Sequence, residues 1–302
     1  MMIELEKLST EENNLNSKDI ELQDSLEIVR RINEEDKKVA FCVEKELGSI
    51  SRLIDAILSK YKKETRIIYI GAGTSGRLGI LDASECPPTY GVSFEKVQGI
   101  IAGGNEAIFK AKENAEDNPE LGKQDLLNIN LTENDVVIGL AASGRTPYVL
   151  GAIEYANSIG AITGSITCSK SSDLSKVSQY PIEVPVGAEI VTGSTRMKAG
   201  TAQKMILNMI STTIMIKLGK VFSGYMVDVK TSNQKLIERA KRIIMKTANC
   251  DYEKASDTLK KSGNDVKTAI VMILLNIDKD MAAEKLNQCD ENVAKIIHEN
   301  FK

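Results

Sequence analysis

Two glycine turns rich in hydroxyls carry the clearest chemistry in this 302-residue sequence. The first is G-A-G-T-S-G-R, Gly71–Arg77, at the end of an apolar run. Its spacing fits the dinucleotide fingerprint G-x-G-x-x-G. It misses a Walker A loop, because Arg77 and Leu78 stand where Lys and Ser/Thr are required. It also suits a monophosphate cradle: Thr74 and Ser75 offer hydroxyls, Gly76 allows close approach, and a following helix offers its first amides. The second turn, A-A-S-G-R-T-P, adds Ser143, Gly144 and Thr146 after a later apolar run. Two such turns favour one compact phosphate gripped from two sides. A dinucleotide would want an acidic residue closing the second strand, and Gly103-Gly104-Asn105-Glu106 offers only Glu106 there. The plainer alternative, glycines that only make tight turns, leaves the two hydroxyl clusters unexplained.

Carboxylates come next. Glu85, in L-D-A-S-E-C-P-P-T-Y-G, has small and apolar neighbours, a setting that suggests burial. Burial raises a carboxyl pKa and makes a useful acid near neutral pH. A glutamate capping or pairing near a helix end fits the same letters equally well. A second acidic group, Glu113, Glu116, Asp117 and Glu120, reads mostly as a solvated helix end, and spacing alone singles out none of them.

Composition narrows the choices. A net charge of −3 gives no nucleic-acid footprint, and no apolar run reaches membrane-spanning length. The five cysteines are scattered without a C-x-x-C pair, and the start, MMIELEKLSTEENN, is acidic, which together predict a cytoplasmic protein with reduced thiols. The single histidine, His298, excludes a His-based metal site or Ser-His-Asp triad. No metal or cofactor is expected.

The elements that must position these groups follow from periodicity. Apolar residues at helical spacing (Leu26, Ile28, Val29, Ile32; then Val43, Leu47, Ile50, Leu53, Ile54, Ile57) predict a helical arm over 1–56. Apolar runs at 66–73, 97–104, 135–144, 161–169 and 180–187 alternate with helical stretches. That pattern predicts an α/β doubly wound parallel sheet with strands buried on both faces, within a domain spanning 57–220. All six prolines lie between 87 and 185, at predicted loops and element ends. A long helix over about 197–217 closes the domain. Residues 235–302 read as a bundle of three or four short helices, with Asp251, Asp280 and Asp290 as N-caps and Gly263 as a C-cap.

Gly71–Gly91 as a whole, A-A-S-G-R-T-P-Y at 141–148, G-A-E-I-V-T-G-S-T-R-M-K-A-G-T-A-Q-K at 187–204 and I-N-E-E-D at 32–36 resemble the signatures of N-acetylmuramic acid 6-phosphate etherases. The likeness runs from the arm to the C-terminal bundle. It implies a sugar isomerase (SIS) fold, a small phosphosugar substrate, no nucleic-acid or membrane partner, and a homodimer. It also implies the reaction, which splits the lactyl ether to N-acetylglucosamine 6-phosphate and D-lactate. In that family Glu85 matches the acid that protonates departing lactate, and Glu116 the base that takes the C2 proton. Two departures stand out: Asn114 replaces a usual glycine before A-E-D, and T-E-E-N at 10–13 is an imperfect match to T-E-x-R-N. Asparagine tolerates glycine-like backbone angles.

Within 187–204, Arg196 or Lys198 could approach the phosphate or the lactyl carboxylate. The simpler reading, that Glu189, Thr195, Arg196 and Lys198 only begin the closing helix, is preferred, and they stay outside the predicted site. A related branch, the glucokinase regulatory proteins, binds phosphosugars without catalysis, and aldose–ketose isomerases share the fold. A pure sensor needs no pair of glutamates, and an isomerase needs no leaving-group acid.

Overall fold

The computed structural model describes residues 12–110, 112, 114–229, 231 and 233–300. Thr10, Glu11 and Glu113 lie outside the described residues. The chain divides into two compact units. One holds the chain up to Glu85 with Ser93–Ile210; the other holds Cys86–Val92 and the chain from Ser211 onward.

The first unit begins with short 3-10 turns at Leu15–Ser17 and Ile20–Leu22, then α1 (Ser25–Glu44) and α2 (Leu47–Lys60). The Asp24 carboxylate caps α1 by accepting the Glu27 amide. Along α1 only Glu35, Val39 and Val43 are buried, and Leu26 and Val29 of the predicted apolar face are exposed. On α2, Ile50, Leu53, Ile54 and Ile57 are buried, and that face packs on the sheet.

The sheet then forms by strand–helix alternation. The order is β1 (Ile67–Gly71), α3 (Gly73–Tyr90), β2 (Val97–Ile101), α4 (Glu106–Phe109), α5 (Pro119–Asn128), β3 (Val136–Leu140), α6 (Pro147–Ser158), β4 (Ile162–Thr167), α7 (Asp173–Val177), β5 (Tyr180–Glu183) and α8 (Lys198–Lys217). All five strands are parallel, in spatial order β2-β1-β3-β4-β5. β1, β3 and β4 are buried throughout, as nearly continuous apolar runs require. Ile68, Ile70, Val137, Tyr148, Val149 and Ile153 share one core between sheet and helices. Pro87 and Pro88 fall inside the last turns of α3, and the Pro87 carbonyl accepts the Gly91 amide where the helix stops. Pro181 sits in β5, an edge strand, where a missing donor is tolerated.

The second unit contains an antiparallel pair, β6 (Val221–Phe222) and β7 (Tyr225–Met226), which the sequence reading did not anticipate. Five helices follow, more than expected: α9 (Gln234–Thr247), α10 (Tyr252–Lys261), α11 (Val266–Leu275), α12 (Lys279–Gln288) and α13 (Val293–Asn300). Asp251 caps α10, and Gly263 takes φ +81° just beyond its end. Asp280 and Asp290 do not cap. Asp278 caps α12, which leaves Asp280 inside its first turn, and the Asn292 side chain takes the Lys295 amide at the start of α13. Val227, Ala240, Ile244, Leu259, Ile270 and Leu286 belong to the core of this unit. Within it Asp228 holds the ammonium groups of Lys220 and the buried Lys267.

Candidate active site

β2 lies to one side of β1 and β3 to the other, so the winding reverses between β1 and β3. Open parallel sheets bind ligands beyond the carboxyl ends of strands at such a switch point. Gly71 is in register with Leu140, which sets the turns after β1 and β3 side by side. These are the two turns that carry Thr74, Ser75, Gly76, Ser143, Gly144 and Thr146.

Their residues divide by role. Thr74 is half-buried in the first turn of α3, whose leading amides have no intrahelical acceptor. Ser75 is buried and donates its hydroxyl to Gln203 Oε1 at 2.9 Å, toward α8. Gly76 gives its amide to the Ala72 carbonyl, and a Cβ there would lie 2.8 Å from the Gly71 oxygen and 2.7 Å from Ile101 Cγ1. Its lack of a side chain lets α3 close onto β1 and β2. Gly144 takes φ +68°, and a Cβ would lie 2.3 Å from Ser172 Oγ. Ser143 is half-buried, and Thr146 precedes α6 without spending its hydroxyl on a cap. Thr74, Ser143 and Thr146 are thus the hydroxyls best placed for a ligand, and Ser75, Gly76 and Gly144 shape the turns that present them.

Glu116 lies in a pocket of about 260 Å³ lined by Ala72, Gly73, Arg77, Ala102, Lys112 and Glu116 itself. Its carbonyl accepts the Tyr148 amide at 3.0 Å, which ties it to the first turn of α6. Asn114 adopts φ +63°, so it takes the left-handed backbone expected of the glycine it replaces. Glu116 and Asp117 precede α5, which Asn118 caps, and both are exposed. Arg77 is occupied in the fold, donating to the carbonyls of Ala107 and Ile108, and Lys112 pairs with Glu106 at 3.0 Å.

The expectation that Glu85 is buried is not met: it is exposed. The buried face of α3 runs through Ser75, Gly76, Gly79, Asp82, Ala83 and Cys86, and Glu85 lies off that stripe. It also stands far down the helix from Gly73 and does not line the Glu116 pocket.

The 187–204 run has a structural part. Glu189 is buried, and its two carboxylate oxygens accept the amides of Lys198 and Ala199 at 3.0 and 2.9 Å. An internal carboxylate therefore takes two of the leading amides of α8. The Lys198 ammonium is buried against Glu35 at 2.6 Å and the Ala188 carbonyl at 2.7 Å. Burial works against the Glu35 charge, but hydrogen bonds from Lys198, Lys38, Asn14 and Asn16 outweigh it and hold the carboxyl at about 2. The arm reaches the same place: Asn14 donates to the Ala188 carbonyl and Ser17 to the Ile190 carbonyl.

A second pocket of about 340 Å³ is lined by Ser143, Arg145, Ser169, Lys170, Ser172 and Lys176, among others. The sequence reading did not single out Arg145, Lys170 and Ser172. The signal was present in S-K-S-S-D at 169–173, a third hydroxyl-rich turn after a strand.

Comparison with known proteins settles the lineage. The glucokinase regulatory protein N-terminal SIS domain family matches residues 49–157, and the SIS domain family matches 114–213. A phosphoheptose isomerase from Francisella tularensis superposes with a TM-score of 0.50 at 15% identity, over 64% of this chain and 100% of that one. N-acetylmuramic acid 6-phosphate etherases are far nearer in sequence. That of Clostridium botulinum (strain Eklund 17B / Type B) is 56% identical over 97% of both chains. That of Clostridioides difficile (strain 630) is 54% identical over 97% of this chain and 96% of its own. The chain belongs to the N-acetylmuramic acid 6-phosphate etherase family.

Proposed function

We propose that this chain cleaves the lactyl ether of N-acetylmuramic acid 6-phosphate, with the phosphate held between the first turn of α3 and Ser143–Thr146. One observation carries the reading of the site: Glu116 shares a pocket with Gly73 at the start of α3, and its backbone is tied to the α6 turn. A phosphate at those turns brings the sugar carbons within reach of a carboxylate.

An alkyl ether is a poor leaving group, so the sugar first opens to its aldehyde, which acidifies the C2 hydrogen. Glu116 takes that proton, the C3–oxygen bond breaks, and lactate leaves with a proton from Glu85. Water then adds at C3 of the unsaturated aldehyde, and C2 regains a proton. The sum is substrate plus water giving N-acetylglucosamine 6-phosphate and D-lactate. Each acid–base step contributes about 10²–10⁴-fold. Glu116 shares its pocket with Arg77 and Lys112. The working assembly is a homodimer.

The phosphate assignment is tested by Ser143→Ala with Thr146→Ala. The double variant is expected to raise KM for the phosphosugar at least tenfold while kcat changes little. An unchanged KM would take the phosphate away from that turn.

A further inference from the structure

The first turn of α3 is held from outside its own helix. Ser75 gives its one hydroxyl proton to Gln203 Oε1 at 2.9 Å, and both side chains are buried. Gln203 lies on α8 one turn after Ala199. The amides of Ala199 and Lys198 go to the Glu189 carboxylate, and the Lys198 ammonium goes to Glu35. The start of α8 is therefore a fixed point, and Gln203 links it to the turn after β1. Gly200 passes close by: a Cβ there would stand 3.6 Å from Thr74 Cγ2 and 3.7 Å from Leu78 Cδ1. α8 thus lies against the face of α3 that carries Thr74.

For stability alone, Gln203 is a poor choice at this position. Its Nε2 is buried with no acceptor among the described residues, so a carboxamide is kept in the interior for a single side-chain hydrogen bond. A half-satisfied buried amide does less for a fold than an apolar side chain of the same volume. The group it does serve is the hydroxyl next to Thr74.

We propose that Gln203 is a positioning residue for the substrate phosphate. By holding Ser75 it sets the first turn of α3, so that the Thr74 hydroxyl and the leading amides of the helix converge on the phosphate oxygens. This rests on the phosphate assignment above. Gln203 touches no reacting atom and moves no proton in the reaction. It acts through Ser75, because hydroxyls and helix amides serve an anion only when their geometry is fixed before the anion arrives. Its loss therefore falls on binding of the phosphosugar, and the proton transfers at C2 and the ether oxygen are left to other groups.

The test reads phosphosugar binding and stability side by side. Gln203→Met is nearly isosteric and removes the acceptor, Ser75→Ala removes the donor, and the double variant removes both. KM for N-acetylmuramic acid 6-phosphate is expected to rise about three- to tenfold in each single variant with kcat little changed. It should rise no further in the double variant, since both changes break one bond. The urea midpoint should drop in Gln203→Met, which strands the Ser75 hydroxyl, and recover in the double variant while KM stays high. A side chain that served the fold alone would let KM return with the midpoint. That return, a further rise in the double variant, or a wild-type KM in Gln203→Met would each overturn the inference. If Gln203→Met does not fold, Ser75→Ala breaks the same bond from the other side, and a wild-type KM there overturns the inference equally. Ser143→Ala with Thr146→Ala serves as the reference, because the α6 turn does not hang on Gln203. A raised KM in the reference beside a wild-type KM in Gln203→Met and Ser75→Ala removes the Gln203 role alone. An unchanged KM in the reference removes the phosphate assignment, and the inference with it.

Discussion

The Lys198 ammonium lies 2.6 Å from the Glu35 carboxylate, and both side chains are buried. The pair joins α1 to the first turn of α8, and the Ala188 carbonyl and Asn16 complete its hydrogen bonds. Removing one partner strands a buried charge, which costs about 3–5 kcal/mol, whereas replacing both by apolar side chains is often neutral. Lys198→Met is therefore expected to lower the urea unfolding midpoint clearly, and Glu35→Met with Lys198→Met to recover most of it. Equal midpoints for Lys198→Met and wild type would show that the pair carries no such stability.

The same carboxyl predicts an acid limb of stability. Its folded value, about 2, lies below the ordinary 4.5, so its contribution is complete above about 4.5 and is lost as pH falls toward 2. A depression of that size is worth on the order of 3 kcal/mol. Unfolding free energy followed from pH 5 down to pH 2 should fall more steeply in wild type than in the doubly apolar variant. Parallel curves would mean that Glu35 does not supply the slope.

How much of this was legible in sequence follows from the range of each signal. Strands at 66–73, 135–144 and 161–169 were readable because burial on both faces leaves a nearly continuous apolar run, whereas those at 97–104 and 180–187 are edge strands that are only partly buried and were readable from their place in the strand–helix alternation. The two turns were readable because glycine and hydroxyls concentrate there. The direction of each side chain was not. Ser75 and Thr74 are neighbours, but the helix turns one to Gln203 and leaves the other half-buried near the predicted ligand. Glu85 looked buried from its neighbours' types, whereas its exposure is set by its position around the α3 axis. The fixing of Lys198 by Glu35 joins residues 163 positions apart, beyond any local pattern. Asn114 was read correctly, because a left-handed backbone preference belongs to the residue itself.

The most direct measurement of the two-carboxylate account follows lactate release and C2 hydrogen exchange in deuterium oxide for Glu85→Gln and Glu116→Gln. Both changes are nearly isosteric and remove an exchangeable proton. Glu85→Gln should release almost no lactate from N-acetylmuramic acid 6-phosphate, yet still exchange the C2 hydrogen of N-acetylglucosamine 6-phosphate, because the base remains. Glu116→Gln should lose both, by about 10²–10⁴-fold for each step affected. Exchange that survives in Glu116→Gln and disappears in Glu85→Gln would contradict the assignment of base and acid, and full lactate release by either variant would remove that residue from the mechanism.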